Sequence, residues 1–96
     1  MVAAAPSSSL SAQNDLFTAG ARARKDGRAS ESVHLFSDLV DRYPDSPLIE
    51  SAMVQRIRAM RDTNPAGLAD AVDEYLKRFP SGFARAELRR LASSVQ

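Results

Sequence analysis

An internal repeat closed by proline constrains this chain more than any other feature. The segment Phe36–Ser46 (FSDLVDRYPDS) lines up with Val72–Gly82 (VDEYLKRFPSG) at an offset of 36 residues, and Arg22-Ala-Arg24 lines up with Arg56-Ile-Arg58 at an offset of 34. The difference falls in Thr63–Gly67, a loop where an insertion adds little closure entropy. Apolar residues recur at helical spacing in both copies: Val33, Phe36, Leu39, Val40 and Tyr43, then Leu68, Ala71, Val72, Tyr75, Leu76 and Phe79. Leu88, Leu91, Ala92 and Val95 continue the pattern. Period-two alternation is absent, and Val and Ile together number eight. The chain is expected to be all-α.

Punctuation divides it into five predicted helices. Gly27 ends the first, about Ala12–Lys25, where a residue free to take positive φ is wanted. The second, about Ala29–Arg42, stops before Tyr43-Pro44, because proline disfavours helix in the preceding residue. Ser46-Pro47 reads as an N-cap and a first helical position, opening a third helix of about Pro47–Arg61. Asn64-Pro65 repeats that signal for a fourth, about Pro65–Arg78, and Phe79-Pro80-Ser81-Gly82 breaks the chain before a fifth, about Phe83–Ser94. Connections this short force neighbouring helices antiparallel. Residues 1–11, uncharged and rich in Ala, Pro and Ser, read as a flexible linker ahead of a helical domain of residues 12–96. They lack the basic start and continuous apolar stretch of a signal peptide.

A helix pair recurring at about 34 residues is similar to the tetratricopeptide repeat. Leu16 takes the place of that family's large residue opening the first helix, Gly20 its small residue at the helix–helix contact, and Gly27 its turn. Ser32, Phe36 and Pro44 match the small, aromatic and closing positions of the second helix. The second copy departs, with Val54, Leu68 and Val72 at the small, small and aromatic positions, while Tyr75, Phe79 and Pro80 restore the pattern. The resemblance implies a right-handed α-solenoid of two hairpins, residues 12–44 and 47–80, with a C-terminal capping helix at residues 83–95. The R-Y-P-D-S-P-L and R-F-P-S-G-F-A-R phrasing resembles tetratricopeptide-like domains of bacterial envelope proteins: the Tol-Pal coordinator, outer-membrane assembly lipoproteins and the C-terminal parts of anti-sigma regulators. It implies a non-catalytic adaptor held in the periplasm within a longer envelope protein, against a cytoplasmic alternative. Phe36, Leu39, Tyr75 and Phe79 are expected in the core. Two repeats and a cap fall short of the three or so that usually make a stable stack.

Composition narrows the chemistry. Apolar residues make up 44% of the chain, a globular share, but sixteen of them are Ala, so few bulky residues build the core. No apolar run approaches the roughly 20 residues of a membrane helix. Without Cys there is no disulfide, thiolate zinc site or Cys nucleophile. His34, the only histidine, has no second histidine at metal-site spacing and reads as structural. Asp38, Asp41 and Asp45 lack the acidic loop of a calcium hand. There is no phosphate loop and no Gly-x-Ser-x-Gly elbow. Neither an enzyme nor a cofactor is expected.

Charge carries more information. Net charge is only +1, too balanced for a whole-molecule polyanion binder. It alternates along the chain: net +3 over residues 20–30, −4 over 31–50, +2 over 51–62, −3 over 63–76 and +4 over 77–96. The family resemblance puts Arg24, Lys25 and Arg58 on a concave groove, with Asn14, Ser51 and Gln55 beside them. Such a groove would hold an acidic or carboxylate-bearing peptide through charge-assisted hydrogen bonds. The bland account is that basic and acidic helices alternate so that neighbours attract. Self-association into a homo-oligomer is a further alternative. Arg85, Arg89 and Arg90 on the last helix raise nucleic acid as a partner, but a nearly neutral domain with few aromatics argues against it.

Overall fold

The computed structural model describes the backbone of residues 5–94 and the side chains of residues 10–94. The order is α1 (Ala5–Lys25), α2 (Ala29–Arg42), α3 (Ile49–Thr63), a 3-10 turn (Pro65–Gly67), α4 (Leu68–Arg78) and α5 (Arg85–Ser94). The protein is all-α, with no strand among the described residues. No helix among them is long and apolar enough to cross a membrane.

Helix ends follow the punctuation. Gly27 sits at φ +81°, with its N–H on the Arg24 carbonyl and the Arg28 N–H reaching back to the Ala23 carbonyl at 2.8 Å. That is a Schellman ending, which needs the conformation glycine adopts most freely. Tyr43 and Phe79, each before a proline, leave their helices alike, at φ −132°, ψ 65° and φ −130°, ψ 72°. The following turns then match bond by bond. Ser46 N–H bonds the Tyr43 carbonyl as Gly82 N–H bonds that of Phe79. Ile49 to Ser46 is answered by Arg85 to Gly82, and Ala52 to Leu48 by Leu88 to Ala84. The 36-residue repeat therefore extends past its sequence match, and α5 enters as α3 does.

Five boundaries differ from expectation, among them the end of α3, which runs on to Thr63, and the start of α4, which falls at Leu68 after the 3-10 turn. α1 begins at Ala5, so the stretch read as a linker carries helical backbone from there. Ala favours helix, and Pro6 is tolerated in a first turn. α3 and α5 each start two residues later than predicted, because 3-10 turns occupy the positions after Ser46 and Gly82. Ser46 still caps this turn, its Oγ accepting the Leu48 N–H at 3.0 Å.

Packing runs along the chain, and α3 also touches both α1 and α5. α1, α3 and α5 thus lie side by side, with α2 and α4 packed against that row. The thinnest dimension of the 50 × 30 × 17 Å molecule is about the depth of two helices. Phe36, Leu39, Met53, Ile57, Leu68, Tyr75 and Leu88 are fully buried at the centre. Phe79 is only half-buried, contrary to the core placement expected for it: its ring tilts against Tyr75 at 5.6 Å and carries the Arg78 guanidinium on its outer side.

A polar tie fixes the turn into α5. The buried Tyr75 hydroxyl donates to Glu50 Oε2 at 2.8 Å and accepts the Ala84 N–H at 3.3 Å. The same Glu50 oxygen accepts the Phe83 N–H at 3.1 Å. Gly82 lets the chain pass: a Cβ there would lie 2.0 Å from the Tyr75 hydroxyl.

Candidate functional site

Because α1, α3 and α5 lie in a row, side chains near their ends converge on one cleft. Arg24 comes from the last turn of α1, Arg58 and Arg61 from α3, and Glu87, Arg90, Leu91 and Ser94 from α5. The cleft encloses about 390 Å³. Four guanidiniums face one carboxylate across it, and Leu91 supplies an apolar wall.

Two of the predicted groove residues, Arg24 and Arg58, line this cleft. Gln55 stands behind it, accepting from Arg24 Nη1 at 3.3 Å. Ser51 lies half-buried two turns before Arg58 on α3. Asn14 and Lys25 are exposed on α1 and do not line the cleft. Arg61 and Arg90 were not predicted as groove residues, although Arg61 is one turn beyond Arg58 and so shares its face.

Glu87 is the member that sequence reasoning missed altogether. Arg58 donates to it in parallel, Nε to Oε2 at 2.8 Å and Nη2 to Oε1 at 2.7 Å. This bidentate fork is the strongest geometry an arginine and a carboxylate can adopt. Its hydrogen bonds hold the Glu87 carboxyl below its ordinary pKa; partial burial opposes this, and the charges of Arg58, Arg90 and Arg24 reinforce it. The available signal was Glu87's isolation as the one acid among the five basic residues of 77–96.

The alternation of charge does not become general pairing between helices. Among the described residues only Arg56–Glu74 at 3.8 Å and Arg58–Glu87 join different helices, and both start on α3. The others are local: Arg28 with Asp26 and Glu31, Arg61 with Asp62, Lys77 with Asp73. Asp38 and Asp41 are exposed on α2 without ion pairs, and His34 is exposed beside them. On α5, Arg90 turns into the cleft while Arg85 and Arg89 line a separate shallow depression with Phe83.

No protein-family model matches the chain, and neither does any curated protein or solved structure. The reading of its function rests on the cleft.

Proposed function

We propose that this chain is a tetratricopeptide-like, non-catalytic interaction module that binds an acidic or carboxylate-bearing peptide in the arginine cleft. The observation that carries this reading is that Arg24, Arg58, Arg61 and Arg90 line one cleft with a single carboxylate, Glu87. Like charges gathered at one place raise the free energy of the unliganded protein, and an anion relieves it. The turn that repeats at 36 residues supports the solenoid reading, since it makes α5 the counterpart of α3 and gives the row of first helices a third member. The envelope phrasing favours a periplasmic domain of a longer bacterial protein. Anisotropy of a labelled Asp/Glu-rich peptide with a free C-terminus tests the proposal. Binding should weaken with salt and be lost in Arg24→Glu with Arg90→Glu, while circular dichroism stays helical. Retained binding by that helical double variant refutes it.

A second reading, self-association, draws on Phe83, which is 67% exposed beside Arg85 and Arg89. Sedimentation velocity across a hundredfold range of concentration, on the order of what separates micromolar from weaker dimers, decides it. A constant sedimentation coefficient retires self-association.

A further inference from the structure

The four cleft arginines are not equally available. Both the Nε and the Nη2 of Arg58 are engaged by Glu87. Arg24 meets only the neutral amide oxygen of Gln55, at 3.3 Å. Arg61 approaches Asp62 at 3.8 Å through Nε, on an exposed side, which leaves its terminal nitrogens open. Arg90 makes no hydrogen bond or ion pair among the described residues. Glu87 therefore takes one guanidinium into a bidentate pair, and around the same 390 Å³ cleft Arg24 and Arg90 have no ion pair while Arg61 has only the exposed Asp62.

Two guanidiniums without an ion pair, with a third held only by the exposed Asp62 at 3.8 Å, exceed what one carboxylate can answer, with its single charge and two oxygens. A phosphomonoester carries about −1.5 to −2 at pH 7 and presents three acceptor oxygens. Arg is suited to such a group because its planar fork donates two parallel bonds to neighbouring oxygens. The cleft has room for a whole phosphorylated side chain, and Leu91 offers an apolar wall to the chain that bears it. Resting on the peptide-binding reading above, we infer that the cleft is a phosphopeptide site in which Arg24, Arg61 and Arg90 hold a phosphoserine or phosphothreonine dianion while Glu87 keeps Arg58 out of the contact.

The test uses the full chain and four probes: a short peptide with one phosphoserine, the same peptide with Glu there, the same peptide with Ser, and a single-stranded RNA of equal charge. Binding is followed through the arginine Nε–Hε resonances and by calorimetry. The phosphopeptide should bind about tenfold or more tighter than the Glu peptide, as a second charge and a third acceptor predict. It should shift the resonances of Arg24, Arg61 and Arg90 more than that of Arg58. Arg90→Gln, which breaks no hydrogen bond or ion pair, should lose most of that advantage, and Glu87→Gln should tighten both anionic peptides by freeing Arg58. Equal binding of the phospho- and Glu peptides overturns this inference and leaves the acidic-peptide reading standing. Failure of both peptides to move any cleft arginine overturns both readings. Tighter binding of the RNA overturns the peptide assignment in favour of a nucleic-acid phosphate.

Discussion

The first hairpin, α1 with α2, and the second, α3 with α4, fill the same space with different volumes. In the first, Gly20 leaves a gap that the Phe36 ring occupies; a Cβ on Gly20 would lie 2.9 Å from two ring carbons. Phe17 meets that ring edge-on at 5.4 Å, and the buried Ser32 hydroxyl bonds the Gly20 carbonyl at 2.8 Å. At the equivalent places of the second hairpin stand Val54, Leu68 and Val72, all buried in the one core. A very large and a very small residue have become two of middle size, and a serine tied to backbone has become a leucine. Interior density is what the fold conserves, and several residue sets reach it.

The sharpest way to break this comparison is Phe36→Ala. It empties the space Gly20 makes available and should cost about 3–5 kcal/mol by chemical denaturation. An unchanged midpoint would remove Phe36 from the core. Gly20→Val alone overpacks against the ring and should cost about 1–3 kcal/mol. Combined with Phe36→Val, which imports the second hairpin's pair into the first, it should cost clearly less than the two single changes together. Strict additivity would show that the two positions do not exchange volume.

The hairpins also differ in how they are tied. The first holds together through apolar contact and one neutral hydroxyl, whereas the second adds ionisable groups: Tyr75 with Glu50, which also hold the turn before α5, and Arg58 with Glu87 on α5 itself. Tyr75→Phe removes one hydrogen bond to Glu50 and the acceptor of the Ala84 N–H, and should cost about 1–3 kcal/mol. Burial, followed by the bond to Glu50, raises the Tyr75 phenol above its usual value of about 10. The folded state then keeps the proton longer than the unfolded chain does. Its contribution is complete below about pH 10 and is lost as pH rises further. Stability of the wild type should therefore fall more steeply above pH 10 than that of Tyr75→Phe; parallel alkaline limbs would contradict the tie.

Local chemistry was legible in the sequence, and relations across the row of helices were not. Gly27, Tyr43-Pro44 and Phe79-Pro80 ended helices where their backbone preferences required, since each acts through its own φ or its neighbour's. Large apolar residues at helical spacing placed Phe36, Leu39 and Tyr75 in the core correctly. Phe79 misled because helical spacing cannot tell the inner edge of an amphipathic stripe from its outer edge. The family resemblance put Arg24 and Arg58 on one groove, and summing charge by segment indicated basic α1, α3 and α5. Neither could show that α5 turns Glu87 and Arg90 inward while Arg85 and Arg89 face elsewhere, because helix rotation is set by packing around Leu88. Glu50 was invisible for the same reason, its partners lying 25 and 33 residues away.

The smallest effect separates the two regions by their ion pairs. In the first, Arg28 pairs with Glu31 within the turn that starts α2, both about half exposed. In the second, Glu87 joins α5 to α3 with its side chain 39% exposed. The Arg58–Glu87 pair should contribute no more than about 1 kcal/mol after solvent screening, and the exposed Arg28–Glu31 pair less. Their consequences differ because one closes a local turn and the other docks a helix. Glu87 has a folded pKa below its unfolded value, so its contribution is present at neutral pH and is lost as pH falls from about 4.3 through the folded value. Glu87→Gln should flatten that acid limb and speed hydrogen exchange in α5 specifically, whereas Glu31→Gln should leave α5 protection unchanged. If both substitutions spread equally over all five helices, α5 is not held by Glu87, and Arg58 is as free to meet a ligand as its three neighbours.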